Sequence, residues 1–229
     1  MGAYCVTRLG APVEVEAIRG VIADVLDTRD GDGRKVGDSR FGVYAFFDYD
    51  GEPIYVGQTR EKLRVRIRRH LTNHRTDAVA MNVLDPFEVA EIEMWPLWEL
   101  VHLPPADTTR RLNAVEFTVF QNVLAVSGFK AVLNEKDIAR SELTDLPQSV
   151  RKRIVPDPLF ELRKHPDVRI ARRASTIASL AKVISERDVS PGLRRTLVTQ
   201  ARRLEHLAAL RFAEFARDPI EVEHGDEPT

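Results

Sequence analysis

The segment that most constrains the fold is a pair of short stretches, FGVYAFF and PIYVGQT, separated by Asp50-Gly51. Both stretches are rich in β-branched and aromatic residues, and Asp-Gly favours a two-residue turn with positive φ. The sequence therefore predicts a β-hairpin in which Tyr44 pairs with Gly57 and Phe46 pairs with Tyr55. Because successive side chains point to opposite faces, both tyrosines lie on one face, about 7–8 Å apart. The other face is apolar and carries Val43, Ala45, Phe47, Ile54 and Val56.

The next segment, EKLRVRIRRHLTN, has the spacing of an amphipathic helix. Leu63, Ile67 and Leu71 recur every four residues and form an apolar stripe. Arg66 and His70 are also four residues apart and lie beside that stripe. We expect a helix here to bring a permanent cation and an imidazole within reach of the tyrosine face.

At this point the chain resembles the GIY-YIG nuclease family. The resemblance rests on the triplets Gly42-Val43-Tyr44 and Tyr55-Val56-Gly57, on Gln58-Thr59, and on the Leu, Arg and His of the following helix. It covers roughly residues 40–136, and the spacing from the second triplet to the helix arginine is one residue longer than in the commonest form. Each triplet is a weak signal alone, but the combination is specific.

The resemblance also implies two further site residues. In that family a glutamate on a later helix holds the metal, and a downstream asparagine closes the site and orients its neighbours. The stretch TTRRLNAVEFTVFQNVLAV places Glu116 among apolar residues of a predicted helix, and GFKAVLN supplies Asn134. A carboxylate in an apolar setting is costly unless it is paired or binds a metal, which supports the choice of Glu116.

The activity implied by the resemblance is Mg²⁺- or Mn²⁺-dependent hydrolysis of phosphodiester bonds in double-stranded DNA, leaving 5′-phosphate and 3′-hydroxyl ends. Glu116 would bind a single cation, and Arg66 would hold the scissile phosphate. Tyr44 would deprotonate or position the attacking water, with His70 accepting the phenolic proton, while Tyr55 hydrogen-bonds the phosphate region. A free phenol has a pKa of about 10, so a neutral imidazole beside it makes this arrangement chemically sensible.

Within this family, the size of the chain and its helical extension are similar to those of GIY-YIG type II restriction endonucleases, which cut duplex DNA at short palindromes. Cutting both strands of a palindrome with one site per chain favours a homodimer on DNA, because protein symmetry mirrors site symmetry. Three alternatives stay open: a repair or mobile-element nuclease, a nuclease of a defence complex, and a DNA-binding subunit without activity. The complete set of site residues argues against the last.

The overall pattern predicts an α+β protein. A third strand is predicted in DPFEVAEIEMWPLW, which gives the order β-β-α-β-α and a small three-stranded antiparallel sheet flanked by helices. Residues 1–38 are predicted to form an N-terminal helical arm and linker, and residues 39–140 the GIY-YIG catalytic domain. Residues 141–229 are predicted to form a helical region that ends in an acidic tail.

The formal net charge is −1, yet the charges are unevenly distributed. Between positions 151 and 217, basic residues outnumber acidic ones by about two to one, which predicts a phosphate-binding surface. We expect Arg64, Arg69, Arg172 and Arg173 to contact DNA. The same segment carries apolar residues at near-helical intervals, so a solvated helical face and a dimer interface are the alternatives.

Composition excludes several classes of protein. Cys5 is the only cysteine, which excludes an internal disulfide and a cysteine-rich zinc site. No apolar run approaches the length needed to span a membrane, and the N-terminus lacks the pattern of a signal peptide. We therefore expect a cytoplasmic protein with no membrane partner.

Overall fold

The structure is a computed structural model and describes residues 13–72 and 85–217. Its helices are α1 (Val13–Leu26), α2 (Leu63–Thr72), α3 (Pro105–Val126), α4 (Asp157–Lys164), α5 (Pro166–Glu186) and α6 (Pro191–Arg217). Its strands are β1 (Gly42–Phe47), β2 (Pro53–Thr59), β3 (Glu91–Pro96) and β4 (Val150–Arg153). The start of the predicted N-terminal arm and the predicted acidic tail lie outside the described residues. No helix in the two described ranges has the length and hydropathy needed to cross a lipid bilayer.

The four strands form one antiparallel sheet in the order β2-β1-β3-β4. The α+β class is confirmed, but the predicted three-stranded sheet is wrong, because β4 adds a fourth strand at one edge. The β4 sequence, VRKR, has no apolar alternation and no buried residue. Backbone pairing with β3 holds it in place, and Arg151 Nε donates to Glu91 Oε2 at 2.7 Å. Hydrophobic patterning detects strands that bury one face, so it does not detect β4.

The predicted pairing at the centre of the hairpin is confirmed. Tyr44 pairs with Gly57, and Phe46 pairs with Tyr55. The rings of Tyr44 and Tyr55 lie side by side on one face, with centroids 6.1 Å apart. The alternation of side chains along two strands was therefore sufficient to place the two phenols together.

The turn of the hairpin is longer than the predicted two-residue turn. The register shifts after the centre of the hairpin, so that Phe47 pairs with Pro53, and beyond this pair the Asp48 N–H donates to the Glu52 carbonyl at 2.9 Å. Asp48 holds the turn, because its Oδ1 accepts from the main-chain N–H groups of Asp50 and Glu52 at 2.9 and 3.1 Å. The prediction was wrong because the register shift and the side-chain cap of Asp48, rather than Asp-Gly alone, determine the turn.

Two hydrophobic clusters cover the two faces of the sheet. The first is formed by Val43, Ala45, Phe47 and Val56 of the hairpin with Leu112, Val115 and Val119 of α3. The second is formed by Tyr44, Phe46 and Ile54 with Leu26 of α1, Leu63 and Ile67 of α2, Leu180 of α5 and Leu193 of α6. Ile54 was predicted to lie with the first set, but the register shift beside it changes its neighbours. Because α2 and α6 share one cluster, the predicted boundary between residues 39–140 and 141–229 does not separate two hydrophobic cores.

A buried ionic cluster ties the C-terminal helices to the hairpin turn. Its centre is Asp48, which is 2% exposed. Asp48 Oδ2 accepts hydrogen bonds from Arg169 and Arg173 of α5 and from Arg203 of α6, at 3.1, 2.9 and 2.7 Å. Burial alone raises the pKa of Asp48, but the three guanidinium groups outweigh burial and hold this pKa below its ordinary value. The carboxylate therefore stays charged in the interior and links both helices to the end of β1.

Candidate active site

The glycine of each triplet makes room for a side chain. At Gly57, which lies opposite Tyr44, a Cβ atom would be 2.8 Å from the Tyr44 hydroxyl oxygen. At Gly42, a Cβ atom would be 2.9 Å from a methyl carbon of Leu63. Both distances are shorter than real Cβ contacts. Glycine therefore lets the phenol lie across β2 and lets α2 pack directly against β1.

The structure brings four of the predicted site residues together at the Tyr44 hydroxyl. Arg66 Nε donates to this oxygen at 3.2 Å, and His70 Nε2 lies 3.4 Å from it. The His70 ring also packs against both tyrosines, with its centroid 5.7 Å from that of Tyr44 and 5.3 Å from that of Tyr55. The hydroxyl is thus held between a guanidinium group and an imidazole.

The environment of Tyr44 keeps its phenol protonated. The side chain is fully buried. Burial is the main reason that the pKa of Tyr44 is raised well above its ordinary value; the neighbouring phenol of Tyr55 acts in the same direction, and Arg66 opposes both. Because Arg66 donates to the Tyr44 oxygen, the phenolic hydrogen is available to an acceptor, and His70 Nε2 is within reach.

Glu116 approaches the site from α3, on the other face of the sheet. Gln58 Nε2 donates to Glu116 Oε2 at 2.8 Å and to Asn113 Oδ1 at 3.0 Å. The pKa of Glu116 is raised above its ordinary value. Burial is the main cause, and it outweighs hydrogen bonding with Gln58 and the charge of Arg66, which both lower this pKa. Gln58 was missed as a site residue, although strand alternation contains the signal. Since Tyr55 faces α2, the residue three positions later faces α3.

Asn134 completes the exposed edge of β2. β2 is the outermost strand of the sheet at this side, so its outer N–H and C=O groups need partners. Asn134 Nδ2 donates to the Val56 carbonyl at 2.7 Å, and its Oδ1 accepts from the Val56 N–H at 3.1 Å. The Leu133 N–H donates to the Ile54 carbonyl at 2.8 Å. The side chain of Asn134 thus acts as an additional strand residue and fixes the loop of residues 134–139 beside β2.

A cavity of about 300 Å³ lies at this edge, where groups from both faces of the sheet meet. Its polar lining residues include Tyr55, Gln58, Arg66, Asn113, Glu116, Asn134 and Lys136. Tyr44 and His70 do not line the cavity. Gly57 and Arg66 do line the cavity, and both also lie beside the Tyr44 hydroxyl. The hydroxyl therefore adjoins the cavity. The cavity therefore joins a permanent cation and a carboxylate, with the phenol directly behind them.

The four arginines predicted to contact DNA are all paired with carboxylates. The pairs are Arg64 with Asp27 and Asp38, Arg69 with Glu61, Arg172 with Asp85, and Arg173 with Asp48 and Glu88. Arg173 is 5% exposed, so its guanidinium group is not accessible to a phosphate. Arg172 binds Asp85 with two nitrogens and lies over the ring of Phe87. At Arg172 and Arg173, the basic residues of the C-terminal region thus form ion pairs within the protein.

A comparison with protein-family models matches residues 40–103 to the GIY-YIG catalytic domain, which is a nuclease domain. Neither the curated proteins nor the solved structures provide a match. The matched span contains Tyr44, Tyr55, Arg66 and His70. Glu116 and Asn134 lie beyond it in the sequence, but the structure places both at the cavity that Tyr55 and Arg66 line.

Proposed function

We propose that this protein is a metal-dependent DNA endonuclease that binds the scissile phosphate in the cavity beside β2. The observation that carries the proposal is the position of Arg66, which lines the cavity with Glu116 and also donates to the Tyr44 hydroxyl. One guanidinium group thus connects the carboxylate that would meet a cation with the phenol that would act on water. A planar, permanent cation is also well suited to binding a phosphate.

The residues at the cavity fit Mg²⁺ or Mn²⁺. Such hard cations prefer oxygen ligands, and Mg²⁺ usually keeps several waters and takes only one or two carboxylates from a protein. Within the described ranges no group of three His, Cys, Asp or Glu side chains could hold an ion, so Glu116 would share the cation with water and phosphate oxygens. A volume of about 300 Å³ is sufficient, since one water occupies about 30 Å³. When bound, the cation would neutralise charge on the phosphate and on the leaving oxygen.

Tyr44 and His70 would together handle the proton of the attacking water. The raised pKa of Tyr44 excludes a resting phenolate at neutral pH, so the phenol needs to release its own proton to an acceptor when it takes one from water. His70 Nε2, 3.4 Å from the hydroxyl, provides that acceptor when the imidazole is neutral. Tyr55 lines the cavity and would hydrogen-bond the phosphate. Asn134 would keep the edge of β2 in place, as its two bonds to Val56 already do.

Exposed cations at the wall of the cavity, and not the buried arginines, would contact the DNA backbone. Lys136 is exposed and lines the cavity. Arg195, near the start of α6, pairs with Asp137 of the same wall at 2.7 Å, and 49% of its side chain is exposed. Phosphate contacts of this kind position the DNA but do not read its sequence.

The finer assignment is a type II restriction endonuclease that acts as a homodimer in the cytoplasm and leaves 5′-phosphate and 3′-hydroxyl ends. The symmetry argument for palindromic sites supports the dimer. Repair, mobile-element and defence-complex nucleases would use the same site chemistry, so the products distinguish them. Fragment ends that always follow one palindrome support restriction, whereas ends that depend on DNA structure or on a long site support the alternatives.

Cleavage of a supercoiled plasmid tests the proposal. We expect the protein to cut the plasmid in the presence of Mg²⁺ or Mn²⁺ and to lose this activity in EDTA. Glu116→Gln should abolish cleavage while leaving DNA binding, measured by fluorescence anisotropy, largely intact. Glu142→Gln, which makes the same change at an exposed position, is the matched control and should cut normally.

Two outcomes would contradict the proposal. Near-normal turnover by Glu116→Gln would show that this carboxylate does not bind the catalytic cation. If the wild-type protein binds DNA but does not cut it with any of the divalent cations tested, the protein is instead a DNA-binding subunit without nuclease activity.

A further inference from the structure

Gln58 bridges the hairpin and α3 at the proposed cation site. It lies near the end of β2, and its side chain reaches Asn113 and Glu116, which are three residues apart on α3 and therefore on one face of that helix. Its amide nitrogen donates to Asn113 Oδ1 at 3.0 Å and to Glu116 Oε2 at 2.8 Å. A primary amide nitrogen has two hydrogens, and both are used here.

The orientation of this amide is fixed at the expense of its oxygen. Gln58 Oε1 is buried and has no hydrogen-bond partner among the described residues. Rotating the amide by half a turn would place Oε1 against the carboxylate oxygen of Glu116, where acceptor would face acceptor. An amide that only joined two elements would gain stability by satisfying both of its ends. Here the oxygen has no partner within residues 13–72 and 85–217, while the nitrogen stays directed at Glu116.

We propose that Gln58 is a positioning residue that holds the Glu116 carboxylate ready for the divalent cation. With Oε2 engaged by the Gln58 amide, the carboxylate cannot rotate freely about its last bond, so its orientation is set before the cation arrives. Partners that orient a metal ligand in this way typically change metal affinity by about 10–100-fold. The inference rests on the proposed function, since it takes Glu116 as the ligand.

Mn²⁺ binding in the absence of DNA tests this role without relying on turnover. The EPR signal of free Mn²⁺ would be followed as each protein is added. Gln58→Met keeps the length of the side chain but removes the oxygen and the nitrogen of the amide, and Gln58→Asn keeps the amide but shortens the reach to Glu116. We expect both changes to weaken Mn²⁺ binding by about 10–100-fold. Gln121→Met, the same substitution at an exposed position of α3, should leave Mn²⁺ affinity unchanged.

Thermal unfolding and cleavage kinetics separate positioning from folding. The proposal expects Gln58→Asn to remain folded, with a cooperative transition, and to recover much of its cleavage rate when the Mn²⁺ concentration is raised. Wild-type Mn²⁺ affinity in both Gln58 variants, together with loss of binding in Glu116→Gln, would overturn this inference and leave the proposed function intact. If Glu116→Gln binds Mn²⁺ as tightly as the wild type, the metal assignment itself fails, and the role of Gln58 fails with it.

Discussion

Gly192 provides a sharp test of how the C-terminal helices support the cavity. This glycine lies in the first turn of α6, is buried, and does not have a positive φ. A Cβ atom added there would lie 1.8 Å from the carbonyl oxygen of Glu135, in the loop that follows Asn134. Carbon-to-oxygen contacts are normally about 3.3–3.6 Å, so Gly192→Ala requires the helix and the loop to separate by about 1.5 Å.

The cost of Gly192→Ala follows from this geometry. The obstructing atom belongs to the main chain and cannot rotate away, so the cost should be at the upper end of the range for overpacking, about 2–3 kcal/mol. For a protein of this size, that corresponds to a fall in Tm of about 4–12 °C. Because the displaced loop carries Asn134 and Lys136 at the cavity, the cleavage rate should also fall, by up to about 10²-fold for a shift of this size.

Gly20→Ala is the matched control for this prediction. Gly20 lies in α1 and is exposed, and among the described residues a Cβ atom added there would meet nothing within 4 Å beyond the adjoining backbone of α1 itself. Alanine is the better helix former, so Gly20→Ala should raise stability by about 0.5–1 kcal/mol. Differential scanning calorimetry of both variants therefore gives shifts of opposite sign. A Gly192→Ala protein that is as stable and as active as Gly20→Ala would refute the contact between α6 and the loop.

Three further predictions concern the hydroxyl, the ionic cluster and the DNA contacts. Tyr44→Phe should reduce the rate of single-turnover cleavage by at least about 10²-fold without changing DNA affinity. An unchanged rate would show that another group activates the attacking water. Asp48→Asn should destabilise the protein by about 3–5 kcal/mol at neutral pH, by urea unfolding. The ordinary pKa of an aspartate is 3.8, and the pKa of Asp48 in the folded protein lies below it, so the carboxylate stabilises the wild type fully above pH 3.8. The difference in unfolding free energy between the wild type and Asp48→Asn should therefore shrink as the pH falls below that value. A difference that is constant across this pH range would contradict the lowered pKa. Lys136→Ala should reduce the slope of log DNA affinity against log salt concentration by about 0.9. Lys182→Ala, on the exposed face of α5, is the control and should leave this slope unchanged. Equal slopes for the two variants would show that Lys136 does not contact DNA.

The features that sequence predicted best depend on periodicity over short distances. Alternation along two strands placed Tyr44 opposite Gly57, and helical spacing placed Arg66 and His70 on one side of α2. Both arguments need only the local geometry of one element and its immediate neighbour. Glu116 required the family resemblance as well, because nothing local shows that α3 passes the edge of β2.

The features that sequence did not predict depend on partners far along the chain. β4 is stabilised by its backbone pairing with β3, about sixty residues earlier, and not by an apolar pattern. The arginines of α5 and α6 find Asp48 across separations of 121 to 155 residues. Charge composition cannot distinguish an arginine that neutralises a buried carboxylate from one that faces DNA, so the prediction for Arg173 had no means of recognising its partner.

The ionic cluster and the shared hydrophobic cluster together make the C-terminal helices part of the same folded unit as the candidate active site. Asp48 follows β1 directly, so the three arginines that bind it fix the end of the strand that carries Tyr44. Leu180 of α5 and Leu193 of α6 pack in the same cluster as the Tyr44 ring. Removing these helices would take away part of the cluster that contains that ring and leave Asp48 without its three arginine partners, a change in the interior that costs far more than a lost surface contact. Point substitutions at exposed cations, and not truncation, are therefore the means of separating DNA binding by this region from its role in holding the site together.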